Sequence, residues 1–125
     1  MYKILIVDDS DTMRQILKNI IKSIPEITTI VEKKNGLEGK NAVQEENFDL
    51  ILTDWNMPEL TGLEFVEYLK GSSSSIARIP VVMITTEGLK EQVITAIKAG
   101  VNDYIIKPFT PVEVTKKVKK LLSIK

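Results

Sequence analysis

The sequence predicts a doubly wound α/β domain, in which five parallel strands alternate with helices that cover both faces of one sheet. Five short runs rich in Ile, Val and Leu punctuate the chain, and longer segments with helical spacing of apolar residues lie between them. Three of these runs are almost continuously apolar, which is typical of strands buried on both faces. Right-handed crossovers between parallel strands then place helices on both sides of the sheet.

The predicted strands are short and begin at regular intervals along the chain. They are KILIV from Lys3, ITTIV from Ile27, FDLILT from Phe48, IPVVMIT from Ile79 and DYIIK from Asp103. The runs from Lys3, Phe48 and Ile79 are the nearly continuous ones, so we expect helices on both of their faces.

Five helices are predicted between the strands from apolar residues spaced three and four apart. The second helix covers 36–46, the fourth covers 89–98 and the fifth covers 111–122. The apolar residues of the first helix are Met13, Ile16, Leu17, Ile20, Ile21 and Ile24, and those of the third are Leu63, Val66 and Leu69. In the fourth helix, Val93, Ile94 and Ile97 are expected to face inward. A proline in the first turn favours the fifth. The run GSSSS at 71–75 predicts a flexible loop between the third helix and the fourth strand.

Length and composition restrict the class of protein. The 125 residues predict one domain over residues 1–125, with no effector domain attached. The absence of a long apolar run and of a signal peptide predicts a cytoplasmic protein with no membrane segment. Because the chain has no Cys and no His, thiolate and imidazole chemistry is excluded. Seventeen basic residues balance seventeen acidic ones, so no overall field favours nucleic acid.

Polar side chains end four of the predicted strands. Asp8 and Asp9 follow the first strand, Asp54 ends the third, Thr85 ends the fourth and Lys107 ends the fifth. Because ligands of such folds bind outside the carboxyl ends of the strands, we expect these groups to form one site.

Three carboxylates in one pocket repel one another unless a cation neutralises them. Mg²⁺ is the expected cation, because it prefers a few carboxylate oxygens together with water and phosphate. Asp54 is then the candidate nucleophile toward phosphorus, forming an aspartyl phosphate. Lys107, the hydroxyl of Thr85 and backbone N–H groups after Asp54 are candidates to compensate the charge of the phosphoryl oxygens.

Each of these residues taken alone has a simpler interpretation. Adjacent aspartates after a strand often belong to a helix N-terminus, with Ser10 or Asp11 as the cap. A lysine before a proline is commonly solvated, and Tyr104 is compatible with an ordinary half-buried aromatic. The lysines of the last helix form either a solvated face or a docking surface for an acidic partner: Lys116, Lys117, Lys119 and Lys120.

Four motifs carry a resemblance to a known family: DDS at 8–10, DWNMPELTG at 54–62, MITTE at 83–87 and KPFT at 107–110. The chain resembles bacterial response-regulator receiver domains over its whole length. Within that family it is similar to the chemotaxis (CheY) type, because DDSDTMRQIL, DWNMP, Tyr104 and KPFT occur together. The resemblance implies a flavodoxin-like fold with strand order 2-1-3-4-5, the order known for flavodoxin and CheY.

The resemblance also implies roles for the candidate site residues. Asp54 would be the phosphoacceptor, with Lys107 and Thr85 contacting the phosphoryl group. The metal site for Mg²⁺ would consist of Asp9 as a direct ligand, Asp8 through water, Asp54, and the backbone carbonyl of Asn56. Thr85 and Tyr104 would act as the switch, Tyr104 turning inward and changing the surface of the fourth helix, fifth strand and fifth helix.

The same resemblance implies the partners. A sensor histidine kinase of the CheA type would donate the phosphoryl group, a FliM-like flagellar motor switch protein would bind the product, and a phosphatase is a further possible partner. The chain would be a monomeric signalling protein that catalyses only its own phosphorylation and dephosphorylation. Two departures concern switching and docking: Thr86 stands where the best-known CheY has Ala, and Lys33-Lys34-Asn35 replaces a more acidic stretch.

Two other functions use the same acids. One is a single-domain phosphorelay intermediate that passes its phosphoryl group to a histidine phosphotransfer protein. The other is a metal-dependent phosphatase, which the sequence favours least because no separate general acid is visible.

Overall fold

The computed structural model describes residues 1–125 and contains one five-stranded sheet in the order β2-β1-β3-β4-β5. All four strand pairs are parallel. The strands are β1 (Tyr2–Val7), β2 (Ile27–Lys33), β3 (Leu50–Thr53), β4 (Val81–Thr85) and β5 (Asp103–Ile106). The doubly wound fold class, the parallel pairing and the strand order expected from the resemblance are therefore confirmed.

The five predicted helices form, and a sixth short one is added. They are α1 (Asp11–Ile21), α2 (Gly36–Glu45), α3 (Gly62–Lys70), α4 (Ser74–Ala77), α5 (Lys90–Ala99) and α6 (Pro111–Leu121). Four begin at a residue whose side chain accepts a hydrogen bond from a first-turn N–H group: Ser10, Asn35, Thr61 and Thr110. No helix is both long enough and apolar enough to span a membrane.

The core consists of two hydrophobic layers, one on each face of the sheet. Strand β1 shows the division, since Leu5 and Val7 face the layer that includes α2, α3 and α5, whereas Ile4 and Ile6 face the layer that includes α1 and α6. All four side chains are fully buried. Burial on both faces explains why the strand sequences are continuously apolar instead of alternating.

The serine-rich run after α3 is more ordered than its composition predicts. Ser74–Ala77 forms one helical turn, and the ammonium group of Lys70 donates to the carbonyl oxygens of Ala77 and Ile79, both at 3.1 Å. Ile76 packs against the core. Residues 71–73 lie in a loop as predicted, whereas the prediction was wrong for Ser74 and Ser75, which begin the helical turn because the anchoring residues lie outside the serine run itself.

The inward face of α5 also differs from the prediction. Ala96 is fully buried, whereas Ile94 and Ile97 are 43% and 48% exposed. The buried stripe is centred on Val93 and Ala96, which lie three positions apart, and Ile94 therefore falls on the far side of the helix. Hydrophobicity alone favoured the larger isoleucines, but a small side chain meets the core at this position.

Candidate functional site

Three carboxylates meet at the carboxyl edge of the sheet. β1 and β3 are hydrogen-bonded neighbours, and the Asp54 N–H group donates to the Val7 carbonyl oxygen at 3.0 Å, which places Asp54 beside Asp8. One carboxylate oxygen from each of Asp8, Asp9 and Asp54 lies within 4.8 Å of the others. Asp8 and Asp54 are buried and Asp9 is exposed. The acids that the sequence placed at separate strand ends are thus brought together.

Lys107 reaches this cluster from β5. Its Nζ atom lies 3.1 Å from Oδ2 of Asp8 and 3.2 Å from Oδ2 of Asp54, and its side chain is 13% exposed. The backbone N–H group of Lys107 donates to the Thr85 carbonyl oxygen at 2.8 Å, and the following Lys107–Pro108 peptide bond is cis. One ammonium group is shared by two carboxylates, so negative charge remains in excess.

Asp8 is the most buried of the three acids. Burial raises the pKa of its carboxyl group, and the neighbouring charge of Asp54 raises it further. Hydrogen bonds from the Ser10 N–H group at 2.9 Å and from Lys107 lower the pKa, but the net shift is upward. The contacts from Ser10 and Lys107 therefore do not fully offset the cost of ionising the buried Asp8 carboxyl group.

The donor set fits a hard divalent cation. It consists of carboxylate oxygens with no nitrogen or sulfur ligand, which is the chemistry that Mg²⁺ prefers. The backbone carbonyl of Asn56 accepts no hydrogen bond from the protein and is free to serve as a ligand. The side chain of Asp9 forms neither a hydrogen bond nor an ion pair, so it too is free to bind.

The capping role falls to Ser10, one of the two caps expected from the sequence, and not to Asp8 or Asp9. Ser10 is the N-cap of α1, and its hydroxyl oxygen accepts from the Met13 N–H group at 3.1 Å. Asp8 instead accepts from the Ser10 N–H group, which holds the start of the helix against the site. Both carboxylates therefore remain available to the cluster.

The loop after Asp54 is folded tightly around that residue. The Trp55 N–H group donates to Oδ1 of Asp54 at 2.7 Å, and the Gly62 N–H group donates to the Trp55 carbonyl oxygen at 2.7 Å. A Cβ atom on Gly62 would lie 1.9 Å from the Asp54 carbonyl oxygen, so only glycine fits. Sequence reasoning missed this role, although a glycine at the first position of α3 was visible.

Thr85 ends β4, the strand next to β3, and Tyr104 lies on β5, the strand beyond β4. Thr85 is fully buried, and its hydroxyl oxygen accepts from the Glu87 N–H group at 3.4 Å. The Tyr104 hydroxyl group donates to the Glu87 carbonyl oxygen, and the residue is 9% exposed. Burial, with the nearby charges of Glu87 and Asp54, raises the pKa of Tyr104 to about 12. Tyr104 is thus turned inward and is not the half-solvated aromatic of the simpler interpretation.

A polar bridge that the sequence did not reveal crosses the site. The Asn56 side chain donates to Oε1 of Glu87 at 2.6 Å, and the Gln92 side chain donates to Oε2 of Glu87 at 2.6 Å. These two hydrogen bonds lower the pKa of the exposed Glu87 carboxyl group. The bridge links the loop after β3 to α5, and only the folded structure shows these distant residues as neighbours.

The lysines of α6 divide into two pairs. Lys117 and Lys120 lie 3.0 and 3.5 Å from the carboxylate of Asp103, whereas Lys116 and Lys119 form no ion pair. The sequence left open whether this run is a solvated face or a docking surface. Two of the four lysines, Lys117 and Lys120, pair with Asp103 on β5.

Comparison with known proteins agrees with the fold. The family model for the response regulator receiver domain matches residues 4–119. Chemotaxis protein CheY1 of Helicobacter pylori is 46% identical over 122 residues, which cover 96% of this chain and 96% of that protein.

Solved structures give the same result. Chemotaxis response regulator CheY4 of Vibrio cholerae superposes with a TM-score of 0.88 at 31% identity, covering 98% of this chain and 99% of the other. The receiver domain of sensor histidine kinase PA1611 from Pseudomonas aeruginosa, whose structure has a magnesium ion coordinated in the active site cleft, superposes with a TM-score of 0.87. At 21% identity it shows the shared fold, with 98% of each chain covered. The chain therefore belongs to the response regulator receiver domain family.

Proposed function

We propose that the chain is a phosphorylation-activated response regulator that accepts a phosphoryl group on Asp54 and signals in chemotaxis. The observation that carries the proposal is the gathering of Asp8, Asp9 and Asp54 within 4.8 Å of one another, with the ammonium group of Lys107 in contact. This set of groups suits phosphoryl transfer to a carboxylate. The relatives named as chemotaxis proteins support the signalling role.

Each side chain has a distinct task in the proposed reaction. Asp9 and the Asn56 carbonyl would hold Mg²⁺ directly beside Asp54, and Asp8 would hold it through water. When bound, the ion supplies positive charge next to the acceptor carboxylate and the incoming phosphate oxygens. Asp54 attacks phosphorus through the oxygen not held by the Trp55 N–H group. The donor's leaving group departs on the opposite side of the phosphorus atom.

Lys107 and Thr85 receive the transferred group. The Lys107 ammonium is already within 3.2 Å of the acceptor carboxylate, so it compensates charge on a phosphoryl oxygen without a large movement. The Thr85 hydroxyl is fully buried at the neighbouring strand end and donates to a second oxygen. Because this reaction modifies only the chain itself, the protein works as a signalling regulator and not as a classical enzyme.

The switch couples this chemistry to the surface of α5, β5 and α6. Movement of Thr85 toward the phosphoryl group releases the hydrogen bond from the Glu87 N–H group, and Glu87 in turn holds the hydroxyl group of Tyr104. The two positions of Thr85 and Tyr104 form a two-state equilibrium that phosphorylation biases. The exposed Ile94, Ile97 and Ile106 give this surface apolar area for a partner.

The proposed donor is a sensor histidine kinase, and the proposed target is a flagellar motor switch protein. The names of the relatives favour this reading over the phosphorelay intermediate, which would use the same acids to return the phosphoryl group to a histidine phosphotransfer protein. Beryllofluoride-activated protein should bind a motor switch peptide more tightly than the unactivated protein does. Equal binding by both forms, with rapid transfer to a phosphotransfer protein, would favour the relay.

The phosphoacceptor is tested directly with Asp54→Asn. Labelling by acetyl phosphate in the presence of Mg²⁺, followed by mass spectrometry, should disappear in this variant, because the amide is not a nucleophile toward phosphorus. Asp49→Asn is the matched control, since Asp49 precedes the same strand at its opposite end and accepts only from the Lys3 N–H group. Normal labelling of Asp54→Asn would overturn the assignment.

A further inference from the structure

Arg14 connects the acid cluster to the edge of the sheet. From α1, its Nη1 atom donates to the backbone carbonyl oxygen of Asp8 at 2.6 Å, and its Nη2 atom donates to the carboxylate of Asp11. The Nε atom lies 3.5 Å from Oε1 of Glu32 on β2, and it is buried without a hydrogen-bond partner of its own. The side chain is 13% exposed. A mostly buried guanidinium that contacts three residues has little freedom to move.

The carbonyl that Arg14 holds belongs to the peptide unit between Asp8 and Asp9. The other polar groups of Asp8 are also taken: its N–H group donates to the Lys33 carbonyl oxygen at 3.1 Å, and its carboxylate accepts from Ser10 and Lys107. With the carbonyl fixed as well, the plane of the Asp8–Asp9 peptide is set. The direction in which the Asp9 side chain leaves the backbone is therefore set too.

Asp9 depends on its backbone for its placement. Its side chain is exposed and has no hydrogen bond or ion pair. A metal ligand of this kind is oriented only by the peptide units on either side. By holding the Asp8 carbonyl oxygen, Arg14 thus affects the position of Asp9, the carboxylate of the cluster with the fewest contacts.

We propose that Arg14 is a positioning residue that fixes the Asp8–Asp9 peptide and thereby raises the affinity of the acid cluster for a divalent cation. The inference rests on the proposed function, because it concerns the same metal site. Glu32 helps to hold the guanidinium group of Arg14 in place, since its carboxylate lies against Arg14 and also accepts a hydrogen bond from Lys18 at 3.3 Å. Groups that orient metal ligands commonly change metal affinity by about tenfold or more.

Charge and geometry make opposite predictions at this residue. A cation close to a Mg²⁺ site repels the metal, so removing the charge of Arg14 would strengthen binding if Coulomb repulsion were its main effect. A positioning role predicts weaker binding instead. Arg14→Lys separates the two effects, because lysine keeps the charge but lacks the planar fork that reaches Asp8, Asp11 and Glu32 together.

The experiment is a Mg²⁺ titration followed by the fluorescence of Trp55, the sole tryptophan of the chain and the neighbour of Asp54. Arg14→Lys and Arg14→Met should both bind Mg²⁺ about tenfold more weakly than the wild type. The matched controls are Lys18→Arg and Lys18→Met, which alter a cation paired with the same Glu32 but out of contact with Asp8. They should bind as the wild type does.

A kinetic readout separates positioning from general damage. The Mg²⁺ concentration that half-saturates labelling by acetyl phosphate should rise about tenfold in Arg14→Lys, while the rate at saturating Mg²⁺ stays near that of the wild type. Circular dichroism shows whether each variant is folded.

Four results overturn the proposal in distinguishable ways. Wild-type affinity in Arg14→Lys removes the positioning role but leaves the proposed function intact, as does tighter binding in Arg14→Met. An equal loss in both Lys18 controls assigns the effect to the ion-pair network as a whole. Absence of Mg²⁺ binding in the wild type overturns the metal site and, with it, the proposed function.

Discussion

At the scale of single residues, Asp8 combines two properties that oppose each other. Its carboxyl group is 2% exposed and contacts Lys107, so it is well placed in the cluster, but burial raises its pKa. An acid whose pKa is higher in the folded state than its ordinary value of 3.8 favours folding when protonated. This stabilising contribution is full below that value and is lost as pH rises through the folded-state pKa.

Asp8→Asn should therefore stabilise the protein in the absence of Mg²⁺. The amide keeps an oxygen for the Ser10 N–H group and removes a buried charge, so we expect a higher unfolding free energy near neutral pH. The gain should shrink at acidic pH, where the wild-type carboxyl group is protonated. Urea unfolding of both proteins at the two pH values measures it. A variant less stable than the wild type near neutral pH would contradict this account.

Gly62→Ala tests the tight loop around Asp54. The added methyl group would collide with the Asp54 carbonyl oxygen at 1.9 Å, and that oxygen belongs to backbone that hydrogen bonds hold in place. We expect a loss of about 3 kcal/mol in unfolding free energy, together with loss of phosphoryl acceptance. Gly88→Ala is the control, since its nearest neighbours are side-chain atoms of Ile106 at 3.4 Å. Equal stability of the two variants would refute the steric argument.

The residues that sequence analysis identified differ physically from those it missed. Asp8, Asp54 and Lys107 were identifiable because each directly follows or ends an apolar strand, and parallel strands bring such ends to one edge. Arg14 and Gln92 lie within helices, where polar residues are expected on the solvent side. Their contacts depend on how α1 and α5 sit against the strand-end loops, which local patterns do not encode.

At the scale of elements, tertiary packing explains where the structure differs from the predictions made from hydrophobic patterns. In α5 the small Ala96 faces the core and the larger Ile94 and Ile97 face outward, because the helix approaches closely at that point. In α4 part of a serine-rich run is helical, because Lys70 binds the carbonyl oxygen of Ala77 and Ile76 packs against the core. Patterns predicted every long element but could not rank neighbouring apolar residues by their distance from the core.

The pairing between α6 and β5 gives a prediction for Lys117. Its ammonium group donates to Oδ1 of Asp103 and to the Tyr104 carbonyl oxygen, each at 3.0 Å. Lys117→Met should cost about 1 kcal/mol of unfolding free energy, since it leaves both acceptors without this partner. Lys116→Met on the same helix removes the same charge from an unpaired lysine and should have little effect.

Lowering the pH tests the same ion pair between Lys117 and Asp103 in a second way. Burial acts to raise the pKa of Asp103, but the Tyr104 N–H group and the two lysines outweigh it, so the net pKa is lowered. The stability from this pair is present above the ordinary value of 3.8 and is lost as pH falls through the folded-state pKa. The difference between Lys117→Met and the wild type should shrink there. A constant difference would show that the Tyr104 carbonyl contact dominates.

At the scale of the whole molecule, stability and function occupy different regions. The two hydrophobic layers lie on the faces of the sheet, whereas the acids lie at its carboxyl edge, where they add little apolar burial. Each hydrophobic layer packs on strands that end in a site residue. A cation that neutralises the negative charge of the acids at the strand ends therefore stabilises strands from both halves of the chain. The site is therefore coupled to global unfolding.

Mg²⁺ should consequently stabilise the entire fold. A ligand that binds only the native state at ten times its dissociation constant adds about 1.4 kcal/mol, which for a domain of this size raises the melting temperature by about 4 °C. Thermal unfolding by circular dichroism with MgCl₂, against NaCl of equal ionic strength, measures the shift. Asp9→Asn should lose it because the variant lacks a proposed ligand, and Asp49→Asn at the opposite end of β3 should retain it. An equal shift in Asp9→Asn would place the bound cation elsewhere on the molecule.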